Sequence, residues 1–209
     1  MSIDMKPARD ITRSHYGKNL VYFPSRKNHR QVVCESVLEA DYCLHLEQDK
    51  AVISYRGQPE TLAINIGNKT TKYTPDFVIE TATATYFVEV KSDRDALSPA
   101  YQKKLFTAAA LLQDRHSSLR VIDAGEIRPG QRLENLQVLY SRSFHVRPCE
   151  YTALVEKAQT LPAVITLAEL LEQFSEISHA AKYLAIFEGM FSFDWNQPLS
   201  LQTCLERLP

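Results

Sequence analysis

The chain has 209 residues, of which 44% are hydrophobic and 23% charged, enough apolar material for a core and too much for a disordered chain. No apolar run approaches the ~18 residues that a membrane span requires, and Met1 to Arg13 lacks the apolar stretch of a secretory signal, so a cytoplasmic protein is expected. The net charge of −1 hides an alternation: residues 1–30 sum to +5, 31–100 to −5, 101–149 to +4 and 150–209 to −5. Basic segments around an acidic centre suit a nucleic acid lying across a metal site, whereas the acidic tail would repel phosphate and suits a protein partner. Cys34, Cys43, Cys149 and Cys204 form no CxxC and have no histidines at zinc spacing, the pattern of reduced, structural thiols.

Residues 1–33 carry scattered Lys, Arg and Tyr with little periodicity and are expected to form an extended basic arm. From 34 to 48, Cys34, Leu38, Tyr42 and Leu46 recur every fourth residue, the apolar stripe of an amphipathic helix. Runs over 51–56 and 61–66 read as strands, punctuated by Gly57-Gln58-Pro59 and Gly67-Asn68. Two more strands are expected over 73–80 and 85–91. If the loop between them is tight, Glu80 faces Thr85 and, counting back, Asp76 faces Glu89, with Cβ atoms about 4.5–5.5 Å apart. Lys91 then projects from the same face as Glu89.

Ser98-Pro99 opens a helix, with proline in the first turn and Tyr101, Leu105, Ala108, Ala109 and Leu112 as its buried stripe. Residues 119–123 read as a strand and 125–131 as a loop, while 136–140 fits helix and strand equally. A boundary is expected near Arg147-Pro148-Cys149, followed by helices over 151–160, 166–176 and 179–188. Thr166 and Glu169 have the spacing of a capping box, and Gly189 is placed to end the third helix. Residues 191–201 read as a hairpin, and short helices closed by a hairpin resemble a winged helix.

The residues that carry chemistry are Thr74-Pro75-Asp76 and, after twelve intervening residues, Glu89-Val90-Lys91, preceded by a helix bearing Glu35 and Glu39. This has the form of the PD-(D/E)xK nuclease core. Cutting a phosphodiester calls for a divalent cation that offsets phosphate charge and lowers the pKa of a bound water. Mg²⁺ takes hard oxygen ligands, typically one or two carboxylates. Asp76 and Glu89 supply these, the Val90 carbonyl is a further candidate ligand, and Lys91 can orient water or stabilise developing charge. Helical geometry leaves Glu35 and Glu39 as alternatives for a third carboxylate. His29 and His45 fit structural roles better than catalytic ones, Phe191 and Trp195 fit a small core, and Ser36 has no partners for nucleophilic chemistry.

Ser36-Val37-Leu38-Glu39, the Gln58-Pro59 pair, Lys72-Tyr73-Thr74-Pro75-Asp76-Phe77 and Glu89-Val90-Lys91 together resemble the N-terminal endonuclease domain of the TnsA family, over about residues 30–145. These proteins are nuclease subunits of heteromeric cut-and-paste transposases. The resemblance implies catalytic roles for Glu39, Asp76, Glu89 and Lys91, with Mg²⁺, for which Mn²⁺ substitutes, held by Asp76, Glu89, Val90 and Glu39. It chooses Glu39 over Glu35; some relatives have Gln where this chain has Glu89. Gln102 or Lys103 is a candidate for a phosphate contact, with a solvated helix face as the alternative. It also implies cleavage of the non-transferred strands at the 5′ ends of double-stranded transposon DNA, beside the DDE transposase TnsB and the ATPase TnsC.

The expected architecture is α/β, a restriction-endonuclease-like core in which helices flank a mixed sheet, with a small winged-helix-like domain. Its parts are a basic arm (1–33), the endonuclease domain (34–147) and a partner-binding domain (148–209). A stand-alone restriction or repair nuclease of the same fold, and a non-catalytic DNA-binding adaptor, are the alternatives.

Overall fold

The computed structural model describes residues 20–208. The first part of the expected basic arm, residues 1–19, lies outside the described residues. The chain divides into two units, one ending at Ile127 and one beginning at Arg128.

In the first unit, β1 (Val21–Ser25) and β2 (Arg30–Cys34) form an antiparallel hairpin, where an extended arm was expected. Phe23 and Ser25 on one strand and Val32 and Cys34 on the other are buried, an alternation masked in the sequence by the charged turn between them. Helix α1 (Val37–Gln48) follows, its N-cap Ser36 accepting from the Glu39 amide at 3.1 Å. The helix is buried nearly all round rather than along one stripe, and its buried residues include Glu39, Asp41 and Glu47. Glu47 is satisfied there by the hydroxyls of Ser25 (2.5 Å) and Tyr55 (2.7 Å) and by the amides of Arg26 and Lys27. A buried carboxylate needs such donors, and this one ties the first hairpin to the helix.

Four short strands follow: β3 (Val52–Gly57), β4 (Leu62–Ile66), β5 (Lys69–Tyr73) and β6 (Phe77–Thr81). The single strand expected over 73–80 is therefore broken. Pro75 cannot donate to a ladder, and the chain before it turns back at Gly67 (φ +61°) so that β5 pairs with β4. After β6 come β7 (Thr85–Lys91), α2 (Pro99–Gln113), β8 (Ser118–Asp123) and the short helix α3 (Ala124–Ile127), which lies where a loop was expected. The central sheet runs β3-β6-β7-β8. Its pairs are antiparallel except β7 with β8, which are parallel and joined through α2, so the sheet is mixed.

Alternate side chains of this sheet pack on different helices. Phe77 stacks edge-on against Tyr42 of α1 at 5.8 Å and against Tyr55 at 6.3 Å. Val78 and Phe87 instead join Leu62, Ile64 and Tyr73 of the β4–β5 hairpin and Leu105, Ala108 and Leu112 of α2 in one cluster. Glu89 and Lys91 share the parity of Phe87, which sends both toward α2.

The second unit contains α4 (Arg132–Arg142), α5 (Pro148–Ala158), β9 (Val164–Thr166), α6 (Leu167–Glu172), α7 (His179–Phe187), β10 (Phe191–Ser192) and β11 (Cys204–Arg207). The division falls ahead of α4, not at Arg147–Cys149. Tyr140 of α4 packs on Phe187 of α7 at 5.2 Å, and Pro148 starts a helix rather than marking a linker. The Thr166–Glu169 capping box is present, and Gly189 (φ +74°) follows α7.

Helix α6 is shorter than the expected 166–176. The buried amine of Lys182 takes the carbonyls of Leu171 (2.8 Å) and Gln173 at its end, and Phe174 turns away at φ +51°. The expected hairpin over 191–201 is also redrawn: β10 pairs with β11, and the sheet runs β10-β11-β9. Asn135, buried on α4, holds the intervening loop by donating to the carbonyls of Trp195 (3.1 Å) and Gln197 (2.9 Å) and accepting from the Leu199 amide (2.9 Å). That uses the side chain's full set of polar functions.

Phe77 is wholly buried between two tyrosines one residue after Asp76. Phe77→Ala is expected to lower unfolding free energy by about 3–5 kcal/mol in chemical denaturation; a loss below about 1 kcal/mol would contradict this packing.

Candidate functional site

The β6–β7 hairpin has the register that the sequence implied. Glu80 pairs with Thr85, and the ladder runs to Phe77 with Val88, so that Asp76 and Glu89 continue it by one step. Asp76 stands just before β6, and its Oδ2 accepts the Val90 amide at 2.8 Å. Its own carbonyl accepts the Gln58 amide at 2.8 Å. Gln58 is buried in a left-handed conformation (φ +47°), and a Cβ at neighbouring Gly57 would lie 2.9 Å from the Val33 carbonyl oxygen. The Gly57-Gln58-Pro59 punctuation is thus a close approach of chains that fixes the backbone of Asp76, at a cost of about 1–3 kcal/mol for the left-handed glutamine.

Glu89 is 2% exposed and has both oxygens engaged. Tyr73 donates to Oε2 at 2.8 Å and Tyr101 to Oε1 at 2.5 Å. Lys91 reaches Oε1 of Glu89 at 2.6 Å and Oδ2 of Asp76 at 3.9 Å, so one amine bridges the two carboxylates. These groups open on a cleft of about 720 Å³, which Glu35 lines from just before α1, Glu39 from its first turn, and Lys72 and Lys104 from β5 and α2.

The electrostatics follow from burial and like charge. Burial, then the charges of Glu89 and Glu39, pushes the Asp76 carboxyl up to about 8, against the opposing pull of Lys91 and the Val90 amide. For Lys91, burial alone would favour the neutral amine, but Asp76 and Glu89 outweigh it and hold the ammonium form well above the usual lysine value. Burial, followed by Glu89, likewise raises Tyr73 and Tyr101, which keeps both phenols protonated as donors.

Among the described residues, no three His, Cys, Asp and Glu side chains form a group poised to hold an ion. The acidic donors that meet are the pair Asp76 and Glu89. Their hard oxygens fit Mg²⁺, which commonly takes only one or two carboxylates and keeps water in its other positions. Glu39 lines the same cleft, but its carboxylate accepts the Glu35 amide at 2.7 Å and the Ser36 hydroxyl at 3.0 Å. Glu35 also lines the cleft, so both acids left open by helical geometry are brought there.

Gln102 and Lys103, candidates for phosphate or for a solvated helix face, are exposed, with the Gln102 amide bound to the Leu97 carbonyl. Their neighbour Lys104 lines the cleft instead. His45 bonds the Ile127 carbonyl at 2.7 Å, and His29 sits in the first hairpin's turn. Phe191 is buried in the second unit, while Trp195 is partly exposed, with the Phe193 ring tilted against it at 4.5 Å and Arg132 over its ring. Sequence reasoning missed Tyr73 as a partner of Glu89 and placed Tyr101 in an apolar stripe. The available signal was that a phenol at the end of such a stripe, beside acidic boxes, needs a hydrogen-bond partner.

Asp76 binds a proton more tightly in the folded protein than in the unfolded chain, where its value is about 3.9. Between that value and about 8 the folded state alone keeps the proton, so stability is lost as pH rises through this window and levels off above it. Asp76→Asn removes that loss. In metal-free thermal melts the variant should exceed wild type by a margin that widens from about pH 5 to about pH 9; a margin constant with pH would contradict the burial of this carboxyl.

Residues 49–124 match a protein family described as the TnsA-like endonuclease N-terminal domain. The segment begins just after α1, which carries Glu39, and includes Asp76, Glu89, Lys91, Tyr101 and Lys104. No curated protein matches the chain. The match and the mixed α/β sheet together support a nuclease of the TnsA type.

Proposed function

We propose that this chain is a Mg²⁺-dependent DNA endonuclease of the PD-(D/E)xK superfamily, acting as the TnsA-like subunit of a heteromeric transposase and cutting the non-transferred strands at the transposon 5′ ends. The observation that carries the reading is the meeting of Asp76 and Glu89 at one amine inside an open cleft. Asp76, Glu89 and the Val90 carbonyl are the proposed metal ligands. Glu39, whose charge acts on Asp76, is the further candidate and must release Ser36 and the Glu35 amide to reach an ion. When bound, Mg²⁺ supplies a polarised phosphate and a water of lowered pKa.

The chain's own groups do the rest. Tyr73 and Tyr101 hold the Glu89 carboxylate in one orientation, and the Val90 amide holds that of Asp76. Lys91, kept as an ammonium, stabilises negative charge on the phosphate in the transition state and is not poised to act as a base. The match over residues 49–124 supports DNA as the substrate and transposase subunits as partners; TnsB and TnsC are the partners proposed.

In the second unit, the order α5-β9-α6-α7-β10-β11 with a β10-β11-β9 sheet supports the winged-helix reading. Its acidic balance of −5 over residues 150–209 supports a protein rather than DNA as what it binds. No helix among the described residues is long and apolar enough to cross a membrane.

In the reconstituted complex with donor DNA, Asp76→Ala and Glu89→Ala should abolish cutting at the 5′ ends, and Lys91→Ala should slow it by about 10²–10³-fold, with folding intact by circular dichroism. Cleavage by Asp76→Ala at the wild-type rate would overturn the assignment.

A further inference from the structure

Charged groups of both signs line the cleft. Glu35 lines it from just before α1 and Glu39 from its first turn, and Lys72 and Lys104 from β5 and α2. With Asp76, Glu89 and Lys91, the lining holds four carboxylates and three amines, a formal balance of −1. A divalent cation would bring this only to +1, and without Lys72 and Lys104 the loaded cleft would itself be negative. A polyanionic strand could then be drawn in only weakly.

Among the described residues neither Lys72 nor Lys104 has an ion-pair partner, although four acids line the same space. Lys104 is nevertheless placed. Its amine lies 5.6 Å from the centre of the Tyr73 ring and 5.9 Å from that of Tyr101, the range of cation–π contact. The hydroxyls of those same rings hold Glu89. The position of Lys104 is therefore tied to the carboxylate proposed to bind metal. A lysine ammonium recognises phosphate as a point charge and needs no planar fork.

We propose that Lys72 and Lys104 form a phosphate rail, which holds unreacting backbone phosphates of the cut strand on one side of Asp76 and Glu89. The rail sets the direction in which the strand crosses the cleft, because the cleft's other charged lining, Lys91 apart, is acidic. Lys72 and Lys104 are positioning residues, and the inference rests on the nuclease reading.

The test uses the full-length chain, a short fluorescent DNA duplex and Ca²⁺ in place of Mg²⁺, so that the cleft is loaded with a hard divalent cation and binding is read apart from cleavage. Each phosphate contact contributes about 0.9 to the slope of log affinity against log salt. Lys104→Gln and Lys72→Gln should each reduce the slope by about that amount, and Lys104→Arg should restore it. Lys69→Gln, at the far end of β5 and outside the cleft lining, should leave it unchanged.

Direction is read with duplexes carrying one neutral methylphosphonate. Neutralising a phosphate on one side of the cut should weaken wild type, and should weaken Lys104→Gln no further. Unchanged slopes in both glutamine variants, an equal fall in Lys69→Gln, or no measurable affinity in wild type would each overturn the rail. If Lys104→Gln does not fold, Lys72→Gln and the methylphosphonate series decide the matter. A wild-type complex that binds as expected but never cuts would count against the nuclease reading and leave the rail standing as a DNA contact.

Discussion

Two carboxylates crowded into one cleft stay ionised together only where a cation offsets their repulsion, and in this structure the side chain of Lys91 is the cation between Asp76 and Glu89. Its amine lies 2.6 Å from Glu89 and 3.9 Å from Asp76. The arrangement is costly: Asp76 favours its protonated form because burial and the neighbouring acids outweigh that one positive charge. A stability-optimised protein would not retain such a cluster. Strain and repulsion of this kind are characteristic of sites whose chemistry requires them.

The surrounding fold keeps the cluster from relaxing. Tyr73 and Tyr101 occupy both oxygens of Glu89, and the Val90 amide occupies Asp76 Oδ2. The left-handed Gln58 holds the Asp76 carbonyl from behind. Phe77, pinned between Tyr42 and Tyr55, fixes where the strand after Asp76 begins. The carboxylates come from two neighbouring β-segments while their supports come from the β4–β5 hairpin and α2, so the geometry depends on the whole first unit. This preorganisation places charge before a substrate arrives, which is the most effective electrostatic contribution a protein can make to phosphoryl chemistry.

Much of this was legible in the residues. The Asp76–Glu89 register followed from counting back across a short loop, because antiparallel pairing is symmetric about its turn. The Ser98 and Thr166 caps and the end of α7 at Gly189 followed from local chemistry. What failed depended on distant contacts. The first hairpin was hidden because its alternation is short and its turn is charged. The division of the chain was misplaced because α4 packs with α7, far along the sequence. Lys103 and Lys104 are indistinguishable as letters, and only the helix's rotation about its axis decides which of them faces the cleft. The phenols of Tyr73 and Tyr101 signalled only that each needs a partner; that the partner is Glu89 shows when the sheet is placed.

The central claim is that Asp76 and Glu89 jointly bind one hard divalent cation in place of the Lys91 bridge. Mn²⁺ titration of the DNA-free, full-length protein, followed by electron paramagnetic resonance, tests this most directly. The account requires a bound Mn²⁺ signal in the wild type that is lost in both Asp76→Asn and Glu89→Gln. A signal that persists in both variants, or a wild type that binds no Mn²⁺, would contradict it.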